Sequence, residues 1–391
     1  IFMEIGKFRS FLQNGGMVYF YATFMAGYFL LPMAAGHRRL YYILVVPAVL
    51  LLWQELATFY RGNALSALIL VYAGYMMSTL LWTADFDLGE AAMALWYSLC
   101  VLTFCAITGY LWMQHRLRLE TLARWSTWLA AAAALVSIVA WYLDHPFPAS
   151  RLVPLGVMHH QNKAACAYGI FLILSVHFFL QGRGRGDRLW YLLAAAVLMS
   201  LILFTQSRTA VVATSAALLV LAGYRAIGLV AIVLAASWAL LAANTALWES
   251  RVLTLSFRPG IWQQVLAEMP GHWLLGQGYL LDPQVPAYGK LFSHAHNSYL
   301  ATLRDGGVVG LALLLGLLGL ALVWAGRLWA RRGERIYLAL LLFGMTAVIM
   351  DFDRLLVHPK ELWLFFWLPL ALVMAAYPRS AGRPATQASP E

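Results

Sequence analysis

Charge is scarce in this chain. Only 11% of its 391 residues are Asp, Glu, Lys or Arg, against 62% hydrophobic, a balance that excludes an ordinary water-soluble domain. Cysteine is scarcer still: Cys100, Cys105 and Cys166 fall inside apolar runs without CxxC spacing. They indicate neither a disulfide framework nor a zinc site and read as small core residues. No aromatic-rich basic module is present, so the net charge of +10 is no sign of nucleic-acid binding. The alternation of membrane-barrel strands is missing too. A transmembrane barrel needs segments of about 10 alternating residues, and "AVLMSLILF" or "GLALLLGLLGLAL" do not alternate. No cleavable signal peptide is evident, and the first span is expected to act as a signal anchor. Ile1 and Phe2 precede Met3 and are expected to be additions ahead of a natural start.

What is abundant is long apolar helix. A span needs about 20 mostly apolar residues, and twelve candidates lie near residues 17–35, 40–58, 64–82, 91–113, 121–143, 163–180, 189–205, 209–223, 226–248, 297–327, 336–350 and 362–377. The expected fold is an all-α integral membrane protein of about 12 transmembrane helices. Lys/Arg bias orients them: with the N-terminus inside, the cytoplasmic side collects 16 of the 27 Lys/Arg and 6 of the 17 acids, counting Glu55 there. Both termini are therefore expected inside. Four parts follow: residues 1–248 with nine spans, a long outer loop at 249–296, three spans at 297–378, and a polar tail at 379–391 expected to be disordered.

Two outer loops are long enough to carry function, 144–162 and 249–296. In the second, "SFRPGIWQQVLAEMP" has Ser256 as a candidate N-cap and Pro259 early in the helix. Ile261, Trp262, Val265, Leu266 and Met269 follow at helical spacing, predicting a short amphipathic helix on the membrane surface with Trp262 at the interface. Arginine recurs on this face as Arg151, Arg208 and Arg258. A guanidinium near hydrocarbon is costly unless it pairs or binds an anion, and three converging forks would seat a pyrophosphate. The alternative is snorkelling to lipid headgroups, or structural ion pairs with Asp282, Asp351 or Asp353.

At "FSHAHNSYLATLRDGGVVG" two histidines stand where loop becomes span, with Asn297 or Ser298 as the cap. A histidine at such a rim suits proton transfer. The pairs His159/His160 and His294/His296 lack a carboxylate or thiolate at ligand spacing, so no metal site is expected. His-Asn, nine residues, then Gly307-Val-Val-Gly310 resembles the O-antigen ligase family and its wider group of O-antigen polymerases and protein O-oligosaccharyltransferases. The resemblance extends to "RPGIW" at 258–262, Pro270, "GQGY" at 276–279, "SRTA" at 207–210, and to Arg151, Gly156 and Asn162 in "RLVPLGVMHHQNKAA". It is specific over about residues 151–310, and matches the first half by hydropathy alone.

The resemblance implies a GT-C-like glycosyltransferase bundle with a periplasmic loop subdomain, in the inner membrane. It implies glycan transfer from an undecaprenyl-pyrophosphate-linked O-antigen to lipid A-core, without metal or other cofactor. Arg208 and Arg258 would hold the pyrophosphate, and His296 would take the proton of the acceptor hydroxyl. Arg151, Asn162, His294, Asn297 and Trp262 would bind substrate. Pyrophosphate leaves readily, so no acid partner is needed, and a single displacement would invert the anomeric centre, unlike the two-step chemistry of paired carboxylates. Gly307 and Gly310 would let their span pack closely on a neighbour. Expected partners are the two glycolipids and membrane lipids. Polymerase and protein-modifying readings share the donor. A secondary transporter is disfavoured, because no half-repeat is visible and the polar residues gather at outer loops rather than the midplane.

Overall fold

A computed structural model describes residues 2–61, 63–84, 86–147, 150–182, 184–242, 257–279 and 284–377. Ser256, Asp282 and the 379–391 tail lie outside the described residues. In chain order the helices are α1 (Phe2–Phe11), α2 (Met17–Leu30), α3 (Ala34–Leu40), α4 (Val46–Leu51), α5 (Trp53–Ala57), α6 (Ala64–Ser78), α7 (Leu88–Gln114) and α8 (Arg116–Asp144). They continue as α9 (Gln161–Gln181), α10 (Arg185–Phe204), α11 (Arg208–Ala222), α12 (Ile227–Ala242), α13 (Arg258–Ala267), α14 (Ser298–Arg332), α15 (Ile336–Met350) and α16 (Leu368–Ala376). An antiparallel hairpin of β1 (Val285–Ala287) and β2 (Lys290–Phe292), with Val285 opposite Phe292, stands between α13 and α14.

Short polar side chains start several of the apolar helices, satisfying N–H groups that hydrocarbon would leave unpaired. Asn63 accepts from Leu65 and Ser66 at the head of α6, Asp87 from Glu90 at α7, and Ser207 from Ala210 at α11. Gly333, with φ 70, closes α14 in the left-handed conformation that favours glycine.

Among the described residues seven helical runs are long and apolar enough to cross a membrane, and eight if Ala34–Leu51 and Trp53–Tyr60, bent by 83°, make one broken span. The chain is thus an all-α, multi-pass membrane protein. Length alone does not reach the twelve crossings expected from hydropathy, for two physical reasons. Residues 209–223 and 226–248 were expected as two spans; Arg208–Leu240 passes by length as one 33-residue apolar run, although Gly223, with φ 64 and ψ −146, ends α11 and a 3-10 turn at Gly223–Ala226 leads into α12, and residues 243–248 lie outside the described residues. At the other end α15 has 15 residues, about 22 Å of helix against a hydrocarbon core of roughly 30 Å. The segment after it, 351–362, carries Asp351, Arg354 and Glu361 buried inside the bundle. Irregular backbone is tolerated at membrane depth when protein encloses it. Here Trp363 and Trp367 donate their indole N–H groups to the carbonyls of Val357 and Leu355, at 3.1 and 2.8 Å.

The core is aromatic where the first and last spans meet. Trp363 packs on Phe104 and Tyr41 at ring-centroid separations of 4.9 and 5.1 Å, and Phe24 stacks on His37 at 4.6 Å. The three cysteines are free and buried, as their apolar surroundings in the sequence imply. Both ends of the described chain lie at one end of the bundle: His115 and Arg118 contact the carbonyls of Gln13 and Asn14, Arg116 faces Glu334, and Arg332 reaches the carbonyl of Ala376.

One glycine sets the geometry near the histidines differently from expectation. Gly307 does not smooth a helix–helix contact; it breaks α14, with φ 63 and ψ −165. The freed backbone groups pair with loop 273–278: Gln277 and Gly278 donate to Arg304 and Asp305, while Val308 and Val309 donate to Trp273 and Leu274. Gly310 does pack on a span, against Met76 and Tyr75 of α6. A Cβ on Gly307 would stand 2.3 Å from the Leu274 carbonyl oxygen, on top of the strain of a left-handed residue. Gly307→Ala is therefore expected to destabilise the fold by about 1–3 kcal/mol or more, lowering the thermal midpoint in detergent. Gly319→Ala, with nothing within 4 Å, is the control and should leave it unchanged. Equal midpoints for both variants would contradict the role given to the break.

Candidate functional site

The histidine turn is held by a small core of its own. Ile261 and Val265 of α13, Val285 of β1, Ala295 and Ala301 form it, with Trp262 and Phe292 packed alongside. Trp262 donates its Nε1–H to the Ala295 carbonyl at 3.1 Å, which ties the half-buried indole to the histidine turn. α13 thus packs its buried side, Ile261 and Val265, under the turn. Asn297 is the cap of α14: its Oδ1 accepts from Tyr299 and Leu300 at 2.9 and 3.2 Å.

His296 itself adopts φ 52. Its Nδ1 lies 3.1 Å from Asp351 Oδ1, and Arg258 Nη2 lies 3.4 Å from the same oxygen. Burial pushes the Asp351 carboxyl up, but the hydrogen bond from His296, the Arg258 charge and the neighbouring Asn162 outweigh it and hold it below the usual range. A carboxylate can only accept, so this hydrogen bond needs the proton on His296 Nδ1; the neutral imidazole in that tautomer has its lone pair on Nε2. Arg258 Nε is buried without a hydrogen-bond partner, an unusual cost for a guanidinium. Arg208, at the head of α11, lies close enough to Arg258 for their like charges to interact.

Arg151 joins from the other long loop. Its Nε donates to the Thr205 carbonyl at 2.9 Å, tying it to the end of α10, and its Nη2 donates to Asn162 Oδ1 at 3.0 Å. The three arginines therefore gather around Asp351: Arg258 directly, Arg208 beside Arg258, and Arg151 through Asn162. Among the described residues, non-glycine left-handed backbone occurs at Gln206, Phe257, Tyr288 and His296. Three of these either precede a site arginine by one or two positions or are the histidine. Such strain costs on the order of 1–3 kcal/mol each and concentrates at working sites.

His294 has a separate task. Its ring lies 3.9 Å from that of His296, and its Nδ1 accepts the backbone N–H of His296 at 3.1 Å. Burial, and then the neighbouring His296, lower its pKa from 6.5 to about 4. Since the folded value is depressed, an unfolded chain takes up a proton at His294 that the folded chain refuses. Stability is expected to fall as pH drops from 6.5 towards 4. That slope should be shallower in His294→Asn, read from unfolding midpoints across this window; identical slopes would contradict it.

A second ionic cluster lies deeper. Asp305, the residue before the glycine pair, receives Arg304 Nε at 3.0 Å and Arg354 Nε at 2.6 Å. Arg354 also faces Asp353 at 3.5 Å and lies over the Tyr279 ring at 4.8 Å. Removing one partner from such a buried network costs about 3–5 kcal/mol. Asp351, Asp305 and Arg354 were not singled out as site residues from sequence; Asp351 entered only as an ion-pair partner. The signal was present as "DFDR" in a break between two spans, where ionisable residues point to function. Among the described residues no group of three or more His, Cys, Asp or Glu side chains gathers as metal ligands do.

No protein-family model matches the chain. It is, however, 33% identical over 367 residues to an O-antigen ligase of Pseudomonas aeruginosa, covering 90% of this chain and 88% of that protein. The chain belongs to the O-antigen ligase family. As a family member it is a glycosyltransferase-type membrane enzyme, and the histidine–aspartate–arginine cluster is its candidate active site. Identity over nine-tenths of the chain also covers the first half, which sequence motifs matched only by hydropathy.

Proposed function

We propose that this ligase transfers an O-antigen glycan from undecaprenyl pyrophosphate to a sugar hydroxyl of lipid A-core, on the periplasmic face of the inner membrane, with both termini cytoplasmic. The observation carrying this reading is one carboxylate oxygen shared by His296 and Arg258, with Arg208 alongside. In this mechanism Asp351 fixes the tautomer of His296, whose Nε2 accepts the proton of the acceptor hydroxyl as that oxygen attacks the anomeric carbon. The bond to the pyrophosphate oxygen breaks, and Arg258 and Arg208 stabilise the charge that develops there. One displacement inverts the anomeric centre.

Arg151 and Asn162 position Asp351 in this scheme. Asn297 and Trp262 shape the turn, and His294 borders the acceptor. The arginines take the part a divalent cation plays elsewhere. Loops expected on one side are linked to each other, as in Arg9–Glu55 and Lys163–Glu361, which supports the topology. The deciding experiment offers purified protein the lipid-linked glycan in EDTA with three acceptors: lipid A-core, a second lipid-linked glycan, and a pilin-like protein. Product on lipid A-core alone is expected. Elongation of the lipid-linked glycan, or labelled protein, would reassign the enzyme to polymerase or oligosaccharyltransferase chemistry.

A further inference from the structure

At the end of the bundle away from His296, α8, α9, α14, α15 and α16 surround a cavity of about 430 Å³, a size ordinary for a ligand site. It is separate from the histidine cluster. α9 carries Asn162 at one end and Gln181 at the other, about 28 Å apart by helical rise, and only Gln181 lines this cavity.

Six ionised side chains ring its mouth: Arg116, Arg124, Arg332, Arg335, Glu120 and Glu334. Both carboxylates are taken by one arginine, with Arg116 at 3.0 Å from Glu120 and 3.6 Å from Glu334. The other three have neutral neighbours. Arg124 donates to the Tyr191 hydroxyl at 3.1 Å and lies over the Phe178 ring at 4.4 Å. Arg332 and Arg335 reach the carbonyls of Ala376 and Leu221, each at 3.5 Å. Among the described residues none of these three forms an ion pair, so four cations face two anions. The rest of the lining is mainly apolar, including Met25, Ile170, Phe171, Leu340, Leu368 and Leu372, with Ser126, His177 and Tyr337 among its polar members.

A cationic rim over an apolar interior, set between spans, suits an amphiphile with an anionic head. We infer that this cavity binds an acidic glycerophospholipid, its phosphate at Arg124, Arg332 and Arg335 and an acyl chain inside. A soluble anion would leave the apolar interior wet, and a zwitterionic lipid would leave the rim charge uncompensated. By the Lys/Arg asymmetry, the leaflet supplying the lipid is the cytoplasmic one. The inference stands independently of the transfer reaction, since none of its residues belongs to the histidine cluster.

The test is retention of phosphatidylglycerol against phosphatidylcholine by the full-length protein in detergent, read by native mass spectrometry. Phosphatidylglycerol is expected to be retained preferentially. Arg124→Gln/Arg335→Gln should weaken it roughly tenfold or more, at about 1 kcal/mol per arginine. Leu372→Trp, which fills the interior, should weaken it through the acyl chain. Equal retention of the two lipids would overturn the inference, as would unchanged retention by the rim variant. Displacement of the lipid by glycerol 3-phosphate at equal concentration would overturn it in favour of a soluble phosphate. The lipid-free unfolding midpoints of the variants, measured alongside, separate lost binding from lost fold.

Discussion

Asp351→Asn is expected to slow transfer by about 10²–10⁴-fold while leaving the KM for the lipid-linked donor within a few-fold. The wild-type carboxylate can only accept, which keeps the proton on His296 Nδ1 and the lone pair on Nε2. An asparagine amide can turn its NH₂ towards Nδ1 instead, and the imidazole then carries its proton on Nε2, where the base is needed. Because Asp351 acts through the histidine, His296→Ala/Asp351→Asn should be no slower than His296→Ala alone. Multiplying losses in the double variant would show that Asp351 acts independently. Thermal midpoints guard against misfolding, since Arg258 loses its partner carboxylate.

The second large effect is expected at Arg258 and Arg208. Arg258→Gln should cost about 10²–10³ in kcat, the usual loss when a preorganised donor to a developing negative charge is removed. Arg208→Gln should cost a similar amount. Lysine at position 258 should recover little, because an ammonium cannot reproduce the planar fork beside Asp351. Single-turnover rates at saturating donor read this directly. If the loss lay wholly in donor affinity, the arginines would be seats for the ground state and not stabilisers of the leaving group.

Much of this was legible in the sequence because hydrocarbon is an unforgiving solvent. Apolar runs, a polar cap expected at Asn297 or Ser298, and the rarity of charge identify an all-α membrane protein before any coordinates. The arginines and histidines stood out for the same reason. What could not be read was pairing across distance. His296 and Asp351 are 55 residues apart, and periodicity carries no information about which loop meets which. The buried segment 351–362 was hidden because hydropathy treats a break between spans as exposed loop, whereas here tryptophan N–H groups and the Tyr279 hydroxyl hold it inside. Trp262 has a contact that its spacing did not show: a tryptophan is apolar at one end and polar at the other, and here it packs on a small protein core while donating to Ala295. Gly307 was recognised as a packing residue, but its left-handed φ is a property of the neighbouring loop as much as of the helix.

The central claim is that His296, held by Asp351, is the base for a transfer that needs no metal. The measurement that tests it most directly is initial-rate transfer from undecaprenyl-pyrophosphate-linked glycan to lipid A-core in EDTA, by wild type and by His296→Ala of matched thermal stability. The account predicts undiminished wild-type turnover in EDTA and a loss of at least about 100-fold in the variant. Full activity in His296→Ala, or wild-type activity abolished by EDTA and restored by a divalent cation, would contradict it.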